Sequence, residues 1–294
     1  MNNTLPVALI QHNAINDHTA NLPALIKKIE EAAQHGAKLV VLQELHNAYY
    51  FPQEEDTAYY NWAETIPGPS TDLLGQTAKR LGVVIVASIF EERAKGLYHN
   101  TAVVLEKDGS IAGIYRKMHI PDDPGFYEKY YFTPGDLGFT PITTSVGKLG
   151  VLVCWDQWFP EGARLMALAG ADMLIYPTAI GWHPPDATDE KERQLDAWIT
   201  IQRAHAIANG LPTLVVNRVG FEANPHKPNS GIEFWGNSFI AGVQGEFLAR
   251  ADASQATILY ADVDLNRTRE IRQLWPYLRD RRIDDYSGLL KRFL

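Results

Sequence analysis

Ala33-Gln34-His35-Gly36-Ala37-Lys38-Leu39-Val40-Val41 reads as a helix end, a Gly-Ala turn and a strand. Leu168-Ala169-Gly170-Ala171-Asp172-Met173-Leu174-Ile175 reads the same way. Around the first copy, residues 7–10 form a strand and 21–34 an amphipathic helix ending before Gly36. Residues 38–43 form a strand ending at Glu44. A helix follows over 70–81, capped by Ser70 or Thr71 after the Pro67-Gly68-Pro69 turn, and then a strand over 83–90. Such continuous apolar runs suit strands covered on both faces, or strands in a sandwich core. Each copy is followed by a hairpin. The first starts at Asn100-Thr101-Ala102, turns at Lys107-Asp108-Gly109 and returns through Ile111 to Tyr115. The second starts at Asn237-Ser238-Phe239, turns near Gln244-Gly245 and returns through Phe247-Leu248. Two such halves could stack their sheets face to face with helices outside, as a four-layer α-β-β-α sandwich. Chance likeness between short apolar strings is the competing reading.

The 294 residues can bury a large core, as one α/β domain or two smaller ones. With 46% hydrophobic and 21% charged residues, the composition is that of a soluble globular enzyme. A net charge of −8 argues against nucleic acid or an anionic membrane as a partner. The opening MNNTLPVALIQHNAIND has no basic region and no long apolar stretch, so no secretion signal is expected. No segment reaches ~18 apolar residues, so no membrane span is expected. A single cysteine fits a reducing, cytoplasmic compartment. The nine histidines show no His-Glu-x-x-His or other ligand spacing, and no glycine-rich phosphate loop is present. Neither a metal nor a cofactor is expected.

Three strand ends carry chemistry. Cys154 closes the apolar run 150–153, just before Trp155-Asp156, and a helix is expected over 159–169. It therefore stands at a sharp strand-to-helix bend. An exposed position and nearby helix N-terminal amides would favour its thiolate, and the N–H groups after it could face a developing oxyanion. Lys117 lies in Tyr115-Arg116-Lys117-Met118-His119, where a strand leaves its sheet. Glu44 ends Val40-Val41-Leu42-Gln43. Taken singly, each has an ordinary reading: a buried small hydrophobe for the cysteine, a solvated surface charge for the other two.

Taken together they are specific. A Glu at one strand end, Lys-x-His after a hairpin and Cys-Trp after a Gly-started strand, in that order, resemble the nitrilase superfamily of carbon–nitrogen hydrolases. The resemblance runs from the Val7 strand to the Phe239 hairpin. It implies Glu44 as general base, Lys117 as oxyanion stabiliser and Cys154 as nucleophile. Glu128, ahead of Lys129-Tyr130-Tyr131-Phe132-Thr133-Pro134-Gly135, matches the second glutamate that the superfamily often carries. The resemblance also implies the four-layer sandwich, a single carbon–nitrogen hydrolase domain over residues 1–294, and homo-oligomers built from dimers.

A finer resemblance follows. The stretch from Lys117 through His119, Pro121, Asp122 and Glu128 to Lys129 is similar to the N-carbamoylputrescine amidases of that superfamily. So are Cys154-Trp155-Asp156-Gln157-Trp158-Phe159-Pro160-Glu161 and Gly181-Trp182-His183. This implies hydrolysis of a carbamoylated diamine, N-carbamoylputrescine, to putrescine, carbon dioxide and ammonia. Carbamoyl amino acid hydrolases of the superfamily place arginines just after the cysteine, and this chain has none there. Trp155, His119, Asp122, Asp156 and Trp182 are then the expected substrate contacts, the acids for a terminal ammonium and the aromatics for cation–π contact. Structural roles compete. Asp122 and Asp123 precede Pro124 and suit a turn. Asp156 could orient the bend after Cys154. Thr188-Asp189-Glu190-Lys191-Glu192 reads as a helix start with Asp189 as N-cap, and Arg203 as an ion-pair partner on a helix over 198–209. An amidase for another small linear amide is the nearest alternative function. A non-catalytic interaction subunit is the alternative of a different class.

Overall fold

Gly36 and Gly170 both sit at positive φ, +94° and +90°, where a side chain would be strained. Each lets a helix end turn directly into a strand, so the repeated stretches are structurally equivalent. The computed structural model describes residues 4–294. Its first half runs β1 (Thr4–Gln11), α1 (His18–Gln34), β2 (Leu39–Leu42), α2 (Pro69–Leu81), β3 (Val84–Ala94), β4 (Leu97–Leu105), β5 (Ile111–Arg116), α3 (Glu128–Tyr131) and β6 (Ile142–Thr144). The second runs β7 (Gly147–Val151), α4 (Pro160–Leu168), β8 (Met173–Pro177), β9 (Gly181–Trp182), α5 (Thr188–Asn209), β10 (Thr213–Val216), β11 (Val219–Asn224) and β12 (Lys227–Trp235). It ends with β13 (Phe239–Ala241), β14 (Phe247–Arg250), β15 (Thr257–Asp264) and α6 (Asn266–Leu274).

Two six-stranded sheets result, in the orders β15-β1-β2-β3-β4-β5 and β6-β7-β8-β10-β13-β14. In the first, β1, β2 and β3 are parallel and β4-β5 is an antiparallel hairpin. In the second, β7, β8 and β10 are parallel and β13-β14 is the matching hairpin. The remaining edge strands are exchanged. β6 leaves the first half to pair with β7, and β15 returns to pair with β1. The two halves thus complete each other's sheets.

Strand alternation sorts the side chains into layers. Val7, Leu9, Val41 and Val84 share one core with Leu149, Val151 and Ile175 of the second sheet. Their neighbours Ala8, Ile10, Val40, Leu42 and Ile85 turn the other way, onto Leu25 and Ile29 of α1 and Leu74 and Ala78 of α2. On the far side, Gly150 leaves room for Met166 of α4, whose Cβ lies 3.1 Å from where a Gly150 Cβ would stand. The expected α-β-β-α sandwich is what the chain adopts.

Several local expectations shift. The helix expected from Ser70 starts at Pro69 with Gly68 as N-cap, because proline suits the first helical position. Thr71 still serves that end, accepting the Gly68 N–H at 2.8 Å. α5 is one helix, not a start at Thr188 and a separate segment from Trp198, and its N-cap is Ala187. Asp189 instead pairs with Arg193 one turn on, at 3.0 Å. Arg203 donates to the Gly245 carbonyl at 2.6 Å instead of joining an ion pair. A third sheet, β11-β12-β9, was not legible in advance. Among the described residues no helix is long and apolar enough to cross a membrane.

Candidate active site

Glu44, Lys117 and Cys154 come from three separate strand ends and meet in the interior. Glu44 follows β2, Lys117 follows β5, and Cys154 follows β7 after Leu152 and Val153. All three are buried, Glu44 and Lys117 completely. Lys117 Nζ donates to Glu44 Oε1 at 2.8 Å and to Glu128 Oε2 at 2.6 Å. Two of its three donors are thereby engaged, leaving one for another acceptor. Glu128 is fixed from its other oxygen by the Tyr50 hydroxyl at 2.8 Å. Asn100 Nδ2 donates to Glu44 Oε1 at 2.7 Å. Glu44 Oε2 has no hydrogen-bond partner among the described residues although it is buried. An unpaired buried carboxylate oxygen is costly, and it is the atom free to accept a proton from a thiol or a water.

Cys154 occupies a strained position. Its φ is +45°, a region that non-glycine residues rarely visit, and it opens the 3-10 turn Cys154–Trp158 ahead of α4. The sharp bend expected from the sequence is present, with the 3-10 turn inserted before the helix. The expected exposure is not: Cys154 is only 3% accessible. Burial pushes its thiol well above the ordinary cysteine range, the Glu44 charge adds to that, and Lys117 opposes it. The resting group is therefore a thiol that needs a base, not a ready thiolate. Burial pulls the Lys117 ammonium down, but the Glu128 and Glu44 carboxylates more than reverse this and hold it above the usual lysine value. Burial raises Glu128 to about 7, with Lys117 opposing and Glu44 reinforcing.

A cavity of about 460 Å³ opens onto Cys154. Trp155, Trp158, Trp235, Phe126 and Ile180 supply apolar walls, and Asp123, Glu128 and Asp186 supply its carboxylates. No Lys or Arg is among its lining residues.

The structure distributes the expected substrate contacts unevenly. Trp155 lines the cavity beside Cys154. Asp156 does not: it is fully buried and accepts from the Tyr115 hydroxyl, the Val153 N–H and the His119 N–H at 2.8, 2.9 and 2.9 Å. It fixes the bend instead of facing a ligand. His119 is drawn away with it, its Nδ1 2.7 Å from Asp156 and its ring stacked on Phe159 at 3.7 Å. Asp122 is exposed and outside the cavity lining; its neighbour Asp123 takes that place. Trp182 sits behind Trp235 at 5.4 Å, its Nε1 donating to the Lys191 carbonyl and its ring covered by the Lys191 ammonium. Tyr50, Asn100, Trp158 and Trp235 are the additions. Only Asn100 left a sequence signal, as a polar residue at the start of an otherwise apolar strand.

The buried titratable groups set the acid response of the fold. Burial lowers His12 and His46 from 6.5 to about 4, and lowers His99 and His205 as well. The unfolded chain therefore binds those protons first, and stability is lost as pH falls from 6.5 toward 4. Glu128 and Glu222, raised by burial, act oppositely, costing stability as pH rises above about 4.5. Between pH 7 and 5 the four histidines outweigh the two carboxylates, so stability falls. The urea midpoint should fall over that range; a midpoint that holds or rises contradicts the assignment.

The comparisons with known proteins agree with this geometry. The carbon–nitrogen hydrolase family model matches residues 6–273. An N-carbamoylputrescine amidase of Solanum lycopersicum is 42% identical over 98% of this chain and 96% of its own length. A citrullinase of Francisella tularensis is 41% identical over 98% of this chain and 99% of its own. The crystal structure of a carbon–nitrogen hydrolase from Helicobacter pylori G27 superposes with a TM-score of 0.96 at 54% identity, covering 99% of this chain and 100% of that one. A family match spanning nearly the whole sandwich, on a chain that brings Glu, Lys and Cys together at three strand ends, leaves one assignment: the chain belongs to the nitrilase superfamily of carbon–nitrogen hydrolases.

Proposed function

We propose that this amidohydrolase cleaves the ureido group of N-carbamoylputrescine, giving putrescine, carbon dioxide and ammonia. The observation that carries the reading is the cavity: apolar walls, carboxylates at its rim, no cationic lining residue, and Cys154 with Glu128 at its base. A flexible methylene chain ending in an ammonium fits such a lining. The curated relatives that bear this activity at 41–42% identity support it.

The proposed chemistry uses two displacements at one carbon. Glu44 takes the Cys154 proton, and the sulfur attacks the ureido carbonyl. The oxyanion is held by Lys117 and the Trp155 backbone N–H, each donor typically worth a few kcal/mol. Glu44 returns the proton to nitrogen, ammonia leaves, and an N-alkyl thiocarbamate stays on Cys154. Water, deprotonated by Glu44, then breaks the carbon–sulfur bond. The thiol is restored and the released carbamate falls apart to carbon dioxide and putrescine. Glu128 takes no proton in this scheme and holds Lys117 in place.

Citrulline is the second reading, because a citrullinase is among the relatives. It shares the ureido group and an ammonium but adds a carboxylate. No lining Lys or Arg is available to pair with that carboxylate. A buried charge left unpaired costs several kcal/mol, so N-carbamoylputrescine should exceed citrulline by about a hundredfold or more in kcat/KM. Asp186 is the better placed ammonium partner. It is half-buried, and among the described residues its side chain takes a single long hydrogen bond, 3.4 Å from Gln194, whereas Asp123 is exposed. Asp186→Asn should narrow the preference mainly by weakening the diamine substrate. Ammonia release that favours citrulline defeats the reading.

A further inference from the structure

The stretch 44–50 determines how the site is spaced, since it begins with Glu44 and ends with Tyr50, whose hydroxyl fixes Glu128. Its backbone makes one internal bond, from Ala48 N to Leu45 O at 3.1 Å. Leu45 has φ +47°, and the bonds from Glu44 N to Thr178 O and from His46 N to Ser88 O are long, at 3.4 and 3.3 Å. His46 Nδ1 lies 2.8 Å from the Ser88 carbonyl, and a further set of bonds comes from Arg218 and Glu222. Arg218 Nη2 donates to the carbonyls of Glu44, Leu45 and Ala48 at 3.1, 2.7 and 2.9 Å. Glu222 Oε2 accepts the Tyr50 N–H at 2.7 Å, and its other oxygen binds Arg218 Nη1 at 2.7 Å. The guanidinium also lies over the rings of Tyr50 and Phe234.

Both residues belong to the β11 region of the third sheet, and neither lines the cavity. Both are fully buried, at 0% and 1% exposure. Stability is a weak reason for such a pair, because two well-packed apolar residues often serve as well or better. A strained backbone persists where its surroundings over-determine it, and such strain gathers at functional sites. We propose that Arg218 and Glu222 are positioning residues, which lock the stretch 44–50 so that Glu44 and the Tyr50–Glu128 pair stand at fixed spacing around Lys117. The inference rests on the roles proposed above for Glu44, Lys117 and Glu128. A misplacement of about 1 Å can cost roughly a hundredfold in rate, which sets the expected scale.

The test removes both charges at once, as Arg218→Met/Glu222→Met, so that no lone charge is left buried. The folded double variant should lose about a hundredfold in kcat on N-carbamoylputrescine, with KM within about threefold. Tyr50→Phe should cost about tenfold in the wild-type background and far less in the double variant, because the hydroxyl no longer meets a placed Glu128. Alkylation of Cys154 by iodoacetamide at pH 7, which needs no assigned substrate, should slow at least about tenfold, since it depends on a base in place. A wild-type enzyme inert toward N-carbamoylputrescine would defeat the substrate reading, and the alkylation arm would still judge this one. The inference is overturned by a folded double variant with near wild-type alkylation and kcat, or by an equal Tyr50→Phe penalty in both backgrounds. If the double variant does not fold, Arg218→Lys keeps the charge but loses the fork; wild-type kcat in that variant overturns the inference equally.

Discussion

Cys154→Ala should abolish turnover, and Cys154→Ser should reduce it to a trace, while both variants keep the fold. The expectation follows from how the residue is held. Cys154 is 3% accessible and packs within the central core, so losing one sulfur atom costs stability on the order of 1 kcal/mol, too little to unfold a chain of this size. The chemical loss is larger. Serine keeps the shape, but its hydroxyl is a far weaker nucleophile and a poorer leaving group from the acyl-enzyme. Its proton is also harder to remove, in a site that already raises the thiol by burial and by the Glu44 charge. Wild-type enzyme trapped with a slow ureido substrate should carry a mass adduct on Cys154 and on no other residue. Either variant turning over at near wild-type rate would end the cysteine mechanism.

Much of this was legible in the sequence because it is encoded locally. A glycine that ends a helix and an apolar run that starts a strand are neighbours in the chain, so the echo around Gly36 and Gly170 survives as a pattern and gives the stacked halves. Glu44, Lys117 and Cys154 were legible because each sits at a strand end within a recognisable string. What was missed depends on distance. The bonds that hold Glu44 and Glu128 come from Asn100 and Tyr50, 56 and 78 residues away along the chain, and no local string records such a contact. The third sheet was missed because β9 has only two residues, too few for a period, and its pairing with β12 is purely tertiary. That same region contributes Gly181 and Trp235 to the cavity wall. The exposure expected of Cys154 failed with it. Asp156 had two open readings in the sequence, and its four hydrogen bonds decide for the structural one.

Replacing Lys117 tests the electrostatic half of the mechanism. Its ammonium is the only cation bonded to Glu44 and Glu128 in the ion pairs of the described residues. Lys117→Ala removes the group proposed to hold the oxyanion, so kcat should fall by roughly two orders of magnitude or more, with KM little changed. A second effect adds to the first. Lys117 is the charge that draws the Cys154 thiol down against burial and Glu44, so without it the thiolate is harder to form and alkylation at neutral pH should slow as well. The substitution also leaves two buried carboxylates facing each other without their shared partner, at a cost on the order of 3–5 kcal/mol. Thermal unfolding must therefore be followed alongside the kinetics. Lys117→Met with Glu128→Gln relieves that repulsion and separates the two losses: stability should recover while kcat stays low. A Lys117→Ala enzyme altered only in KM would mean that the lysine binds the substrate instead of its transition state.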